Sequence, residues 1–271
     1  MLKTEMRNEK TTHIDKASTI DMLRMINDEN RCAVEAVENE IENIAKAVDI
    51  ISEKIGKGGR LVYVGCGTSG RLGVLDAAEI PTTFGVANDT VIGIIAGGDK
   101  CLRLSLENED DKGERGRFDI SDIEPTTNDV IVGISVAGEA RYVNEAVRYA
   151  KSVGCVTIAL TSNEDSTLAN IADITICTDT GAEAIAGSTR MKAGTADKIV
   201  LNMLSTGAMI KQGYVYENLM INLKPKNVKL KARAIRIVSE IAGVDEIEAA
   251  KLLTANDWDI KKAVVSSGKE I

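Results

Sequence analysis

Five short apolar runs, Leu61–Val64, Val91–Ala96, Val130–Ser135, Val156–Leu160 and Ile174–Cys177, are separated by segments of helical spacing such as Arg71–Glu79 and Tyr142–Ser152. Runs this short and continuous read as strands buried on both faces. Alternation of strand with helix makes neighbouring strands parallel, because a parallel pair needs a long crossover and a helix supplies one. The pattern therefore predicts an α/β chain, a parallel sheet between two helical layers. In such sheets ligands bind beyond the carboxyl ends of the strands, so the loops that follow the apolar runs are where function is expected.

The flanks are helical. Ser18–Lys57 has helical periodicity, with Ser18 and Asp21 spaced as a capping box and Gly58-Gly59 as a stop, and predicts two helices ahead of the first strand. Lys192–Gln212 predicts a long helix with little polar surface, buried in the core or in a dimer. The basic stretch Lys224–Lys231 marks a change of character, and Val238–Ser267 reads as short helices broken at Gly243-Val244 and Asn256-Asp257. Two units are expected: residues 1–224, and a small helical unit over 225–271.

Composition narrows the function. No apolar run approaches the roughly 18 residues of a membrane span, and the N-terminus lacks the features of a secretion signal. The five cysteines are odd in number and widely spaced, as free thiols in a reducing compartment are. A cytoplasmic protein is expected. A net charge of -8, with two Phe and one Trp, disfavours nucleic acid. The single histidine, His13, in a polar stretch that reads as a solvated loop, cannot build a histidine-rich metal site, and no CxxC pair exists. Chemistry is left to carboxylates, hydroxyls, amines and backbone groups.

Two loops carry the strongest signal. Val64-Gly65-Cys66-Gly67-Thr68-Ser69-Gly70-Arg71 places glycines and hydroxyls between the first strand and a helix start. There Gly67, Thr68 and Ser69 can cradle a phosphate with free amides and hydroxyl groups. It matches neither the dinucleotide GxGxxG pattern nor a P-loop, which favours a sugar phosphate over a nucleotide. Gly187–Thr195, immediately before the long helix, gathers Ser188, Thr189, Arg190 and Lys192 and again favours an anion. Cys66, with no histidine near it in sequence, reads as a packing residue.

These loops and their flanks resemble the N-acetylmuramic acid 6-phosphate etherases of the sugar isomerase (SIS) superfamily. The similar segments are Ile26–Glu29, GGRLVYVGCGTSGRLGVLDAAEIP, IAGGDK, GSTRMKAGTADKIVLNMLSTGAMIK and NLMINLKPKNVKLKARA, and the resemblance spans most of residues 4–265. It implies a three-layer α/β/α SIS fold with a five-stranded parallel sheet, N-terminal helices and a C-terminal bundle like a ubiquitin-associated domain. It also implies a homodimer with active sites near the subunit interface, and no metal or organic cofactor. The implied reaction removes D-lactate from the C3 ether of the sugar phosphate, by loss of the C2 proton and later addition of water at C3.

By resemblance Glu79 is the acid that assists lactate departure. Placed just before Pro81, it is expected near the end of its helix and partly buried, where a carboxyl tends to keep its proton. The C2 base aligns with Asp110 without a gap, or with Glu109 after a one-residue shift. The loop after the third strand, Val136–Tyr142, lacks the family's hydroxyls and carries Glu139 where a phosphate is expected, with Arg141 as a compensating charge. These differences leave a noncatalytic sugar-phosphate sensor as the alternative to the lyase; an aldose–ketose isomerase shares the fold and the phosphate chemistry but not the DAAEIP and GSTRMKAGT segments.

Overall fold

A computed structural model describes residues 2–271. Three short 3-10 turns lead into helices α1 (Thr19–Glu38) and α2 (Ile41–Gly56). The Ser18 hydroxyl accepts from the Asp21 amide and donates to the Asp21 carboxylate at 2.6 Å, so the expected capping box sets where α1 begins. The chain then alternates through β1 (Leu61–Gly65), α3 (Gly67–Phe84), β2 (Val91–Ile95), α4 (Lys100–Arg103), α5 (Gly113–Asp122), β3 (Val130–Ile134), α6 (Arg141–Val153), β4 (Val156–Thr161), α7 (Thr167–Ile171) and β5 (Ile174–Cys177). The long α8 (Lys192–Lys211) follows. A two-stranded ribbon, β6 (Val215–Tyr216) and β7 (Leu219–Met220), leads to α9 (Val228–Ala242), α10 (Glu246–Ala255) and α11 (Ile260–Ser266).

The five central strands form one parallel sheet in the order β2-β1-β3-β4-β5. After β1 the chain moves outward to β2 and then returns to β3 on the other side. The switch point of the sheet therefore lies between the carboxyl ends of β1 and β3, where two loops diverge and leave a crevice. One apolar layer packs α1, α2, α3 and α8 on one face, with Ile51, Tyr63, Val132, Leu160 and Leu204 fully buried in it. The other layer packs α5, α6 and α7 through Ile120, Tyr142, Val147 and Leu168.

A separate apolar cluster joins Ile221 and Leu223 to α9, α10 and α11 through Val238, Leu253 and Ile260. Gly243, left-handed at φ 68°, ends α9, and Asp245 and Asp259 cap the next two helices with their side chains. No helix among the described residues is long and apolar enough to cross a membrane.

One expectation about α3 fails. The helix runs through Pro81 and stops only at Gly85, where φ is 65°. Proline costs one backbone hydrogen bond here but does not end the helix. The hydroxyls of Thr82 and Thr83 both donate to the Glu79 carbonyl, at 3.0 and 2.9 Å, within this altered turn.

Candidate functional site

The crevice is built from helix starts. Cys66 leaves β1 extended (φ -113°, ψ 153°) and stands as the N-cap of α3 without supplying a side-chain bond. Gly67, at φ 51°, makes the turn that a side chain would strain. First-turn amides have no acceptor within their own helix, so the Gly67–Ser69 turn presents donors and the positive end of a helix of 18 residues. Ser69 is buried, and its hydroxyl donates inward to Asp197 on α8 at 3.3 Å. Thr68 is half-buried beside α8: a Cβ on Gly194 would stand 3.3 Å from the Thr68 methyl and 3.4 Å from the Thr189 carbonyl. The two loops singled out in the sequence thus meet.

The second loop differs from expectation. Its helix start already holds an internal anion: the buried Glu183 carboxylate accepts from the amides of Lys192 at 3.2 Å and Ala193 at 3.0 Å. Lys192 is not turned toward ligand. Its ammonium is buried and bonds Glu29 on α1 at 2.6 Å, while Asn8 donates to the same carboxylate oxygen at 2.7 Å. Burial opposes ionisation of Glu29, but Lys192, Asn8 and Lys10 together hold its carboxyl below the usual range. Ser188 and Thr189 are half-buried and Arg190 is exposed. In this loop Lys192 anchors α1 to α8.

In the third loop the Ser135 hydroxyl accepts from the Gly138 amide at 3.1 Å. Glu139 does not face the crevice as a free charge. Its carboxylate caps α7, accepting from the Thr167 amide at 2.9 Å and the Thr167 hydroxyl at 2.7 Å. Helix α6 starts without a side-chain cap, at Ala140, so a second uncapped helix start lies at the switch point. Arg141 is exposed. Beyond this loop a polar cavity of 960 Å³ continues past the ends of β4 and β5, lined by Glu139, Ser162, Asn163, Ser166 and Thr175 among others.

The two base candidates lie over the same crevice. The Asp110 carbonyl accepts from the Tyr142 amide at 2.9 Å, which ties the turn to the first residues of α6. Glu109 folds over Gly97 and pairs with Lys112 at 2.7 Å, whereas the Asp110 residue is exposed. Burial, then Asp110 and Glu109, push the Cys66 thiol up to about 12, which leaves it a packing residue.

Glu79 is not with them. It lies twelve residues into α3, about 18 Å along the axis from Gly67 at 1.5 Å per residue. Contrary to expectation it is exposed and five residues short of the helix end, because Pro81 does not stop α3. It borders a cavity of 240 Å³ with Leu72, Asp76, Lys198 and Asn202, and a second of 550 Å³ shared with Thr83, Ile210 and Glu217. Asp76, one turn earlier, is buried and accepts from Tyr63 at 2.9 Å and Asn202 at 2.6 Å. Burial raises its pKa against these donors. His13 is exposed in the N-terminal segment.

Sequence reasoning missed Asp76, Glu183 and Asp197. A signal for Asp197 was present: it is a lone carboxylate between Ala196 and Val200 on a helix read as apolar. Glu183 and Asp76 gave none, because their partners are remote in sequence. Among the described residues no group of three or more His, Cys, Asp or Glu side chains is placed to hold a metal ion.

Comparison with known proteins places this geometry. The glucokinase regulatory protein N-terminal SIS domain matches residues 43–151, and the SIS domain matches residues 124–207. Among solved structures, a phosphoheptose isomerase from Neisseria gonorrhoeae superposes with a TM-score of 0.55 at 18% identity, covering 70% of this chain and 97% of that one. A phosphoheptose isomerase from Francisella tularensis also gives 0.55, at 16% identity, covering 72% and 100%. These two show the fold alone. The N-acetylmuramic acid 6-phosphate etherase of Clostridium botulinum (strain Okra / Type B1) is 50% identical over 97% of this chain and 87% of its own length. That of Yersinia pestis (strain Pestoides F) is 48% identical over 97% and 90%. With half its residues shared along nearly its whole length, and with the SIS sheet beneath them, the chain belongs to the N-acetylmuramic acid 6-phosphate etherase family.

Proposed function

We propose that the chain is a carbon–oxygen lyase that cleaves the D-lactyl ether of N-acetylmuramic acid 6-phosphate, giving N-acetylglucosamine 6-phosphate and D-lactate. The observation that carries the reading onto this geometry is the convergence of Asp110 and Glu109 with the uncapped Gly67–Ser69 turn at the switch point. The turn offers amides to the phosphate, with Thr68, Ser188 and Thr189 around it, while Lys192 holds α1 to the start of α8. Asp110, exposed and without the lysine that pairs Glu109, is the base of choice. It takes the C2 proton of the ring-opened aldehyde, Glu79 gives a proton to the departing lactate oxygen, and water adds at C3.

Glu79 cannot reach that crevice from its own chain, so the site is completed by a second copy, in a homodimer whose interface covers α3 and α8. Burial by the partner supplies the dry surroundings that Glu79 lacks alone. We assign residues 1–224 to the sugar-phosphate unit and 225–271 to an appended helical unit, and place the enzyme in the cytoplasm, in recycling of cell-wall amino sugars. The test is incubation with N-acetylmuramic acid 6-phosphate in deuterated water. Wild type is expected to release lactate and carry deuterium at C2. Glu79→Gln should lose lactate release by at least about 100-fold, and Asp110→Asn should lose exchange as well. Lactate release that survives Glu79→Gln would remove Glu79 from the reaction.

A further inference from the structure

Asp197 is fully buried on α8, directly behind the Gly67–Ser69 turn. One carboxylate oxygen takes the Ser69 hydroxyl hydrogen at 3.3 Å, and the other has no hydrogen-bond partner. Charged groups on the elements around it are engaged elsewhere. Glu29 of α1 holds Lys192 of α8, Glu183 holds the amides at the α8 start, and Asp76 of α3 holds Tyr63 and Asn202. Arg71 of α3 donates to the carbonyls of Leu102 and Leu104, and the exposed Lys198 donates to Asn202. The α2 helix meets α8 farther along, at Gly207 and Gln212, through Val48 and Ser52. A buried carboxylate with one orphan oxygen and no cation beside it is expensive to keep ionised.

We propose that Asp197 is a positioning residue that couples binding of a phosphate monoester in the Gly67–Ser69 turn to uptake of one proton, by setting where the Ser69 hydroxyl hydrogen points. When ionised, Asp197 takes that hydrogen and Ser69 offers the ligand only lone pairs, with a negative charge behind them. When a solvent proton adds to the carboxylate, Asp197 donates to the Ser69 oxygen instead. The serine hydrogen then turns outward to the ligand and the local charge falls by one. Burial, opposed only by Ser69, pushes the Asp197 carboxyl up to about 7, so both forms are populated near neutrality. A bound anion favours the protonated form by linkage.

The inference rests on the turn being the phosphate site, and the experiment separates the two. The probe is N-acetylglucosamine 6-sulfate, whose charge is constant from about pH 5.5 to 9, titrated into the full chain and into Asp197→Asn. Wild-type affinity should be level at low pH and fall toward about tenfold per unit above the Asp197 pKa. Asp197→Asn, whose amide donates permanently, should bind with a flat profile. Equal profiles in the two proteins overturn the coupling while leaving the turn as the site. No binding by wild type at any pH overturns the site reading and the coupling with it. Should the variant not fold, calorimetry of wild type at about pH 8 in two buffers of different ionisation enthalpy decides the matter: uptake approaching one proton per ligand supports the coupling, and zero overturns it.

Discussion

Lys192 and Glu29 are both buried, with side-chain exposures of 3% and 5%, so each charge depends on the other in place of water. Removing one leaves the other uncompensated, which costs far more than the pair contributes. Lys192→Met should therefore lower unfolding free energy by about 3–5 kcal/mol in urea titrations, and pairing it with Glu29→Gln should restore part of the loss. The pH sign follows from Glu29. Its folded pKa lies below the ordinary 4.5, so its contribution is present above that value and is lost as pH falls through the lower folded pKa. A Lys192→Met chain should show a smaller loss of stability on acidification than wild type. Equal urea midpoints for single variant and wild type at neutral pH would mean that the Glu29 charge does not depend on Lys192.

At the scale of elements, α3 joins the proposed site residues: its start forms the Gly67–Ser69 turn and its later turns carry Glu79. It lies unusually close to the sheet. A Cβ on Gly93 of β2 would fall 2.5 Å from the Val74 Cα, and one on Gly73 would fall 2.9 Å from the Tyr63 Cβ. Backbone cannot yield as a flexible side chain can, so Gly93→Ala must lift α3 from the sheet. The expected loss is about 1–3 kcal/mol in urea unfolding, with a fall in lactate release because the turn and Glu79 move together. Gly56→Ala, whose nearest contact is the Gln212 side chain at 3.6 Å, serves as the control and should be near neutral. Strand positions were legible because continuous β-branched runs have few other uses, and their ends agree with the sequence within a residue or so. The extent of α3 was not, since Pro81 reads as a stop when tertiary packing holds the turn around it. The site was half legible. Glycine and hydroxyl punctuation marked the turns, but the partners of Lys192, Ser69 and Glu139 lie 163, 128 and 28 residues away, beyond the reach of spacing.

At the scale of the whole molecule, the proposed pairing of Glu79 with Asp110 calls for a second chain, because the two lie at opposite ends of α3. Glu79 opens onto a face where Leu75, Met203 and Ile210 are exposed by 51%, 38% and 49%, on α3 itself and on the neighbouring α8. Asp110 sits at the far end of α3. In a twofold dimer built on that face, each site takes Glu79 from one subunit and Asp110 from the other. Mixing inactive subunits reads this out. A dimer of one Glu79→Gln chain and one Asp110→Asn chain contains one site with both substitutions and one with neither. Random reassortment of equal amounts makes half the dimers mixed, each with one native site of two, so lactate release should recover to about a quarter of wild type. If both carboxylates act from the same chain, every site in the mixture carries one substitution and recovery is nil. Measured after unfolding and refolding together, against the same proteins refolded apart, recovery near that fraction would establish the shared site. Its absence, in a sample shown by sedimentation to be dimeric, would return both residues to a single subunit and require α3 to move.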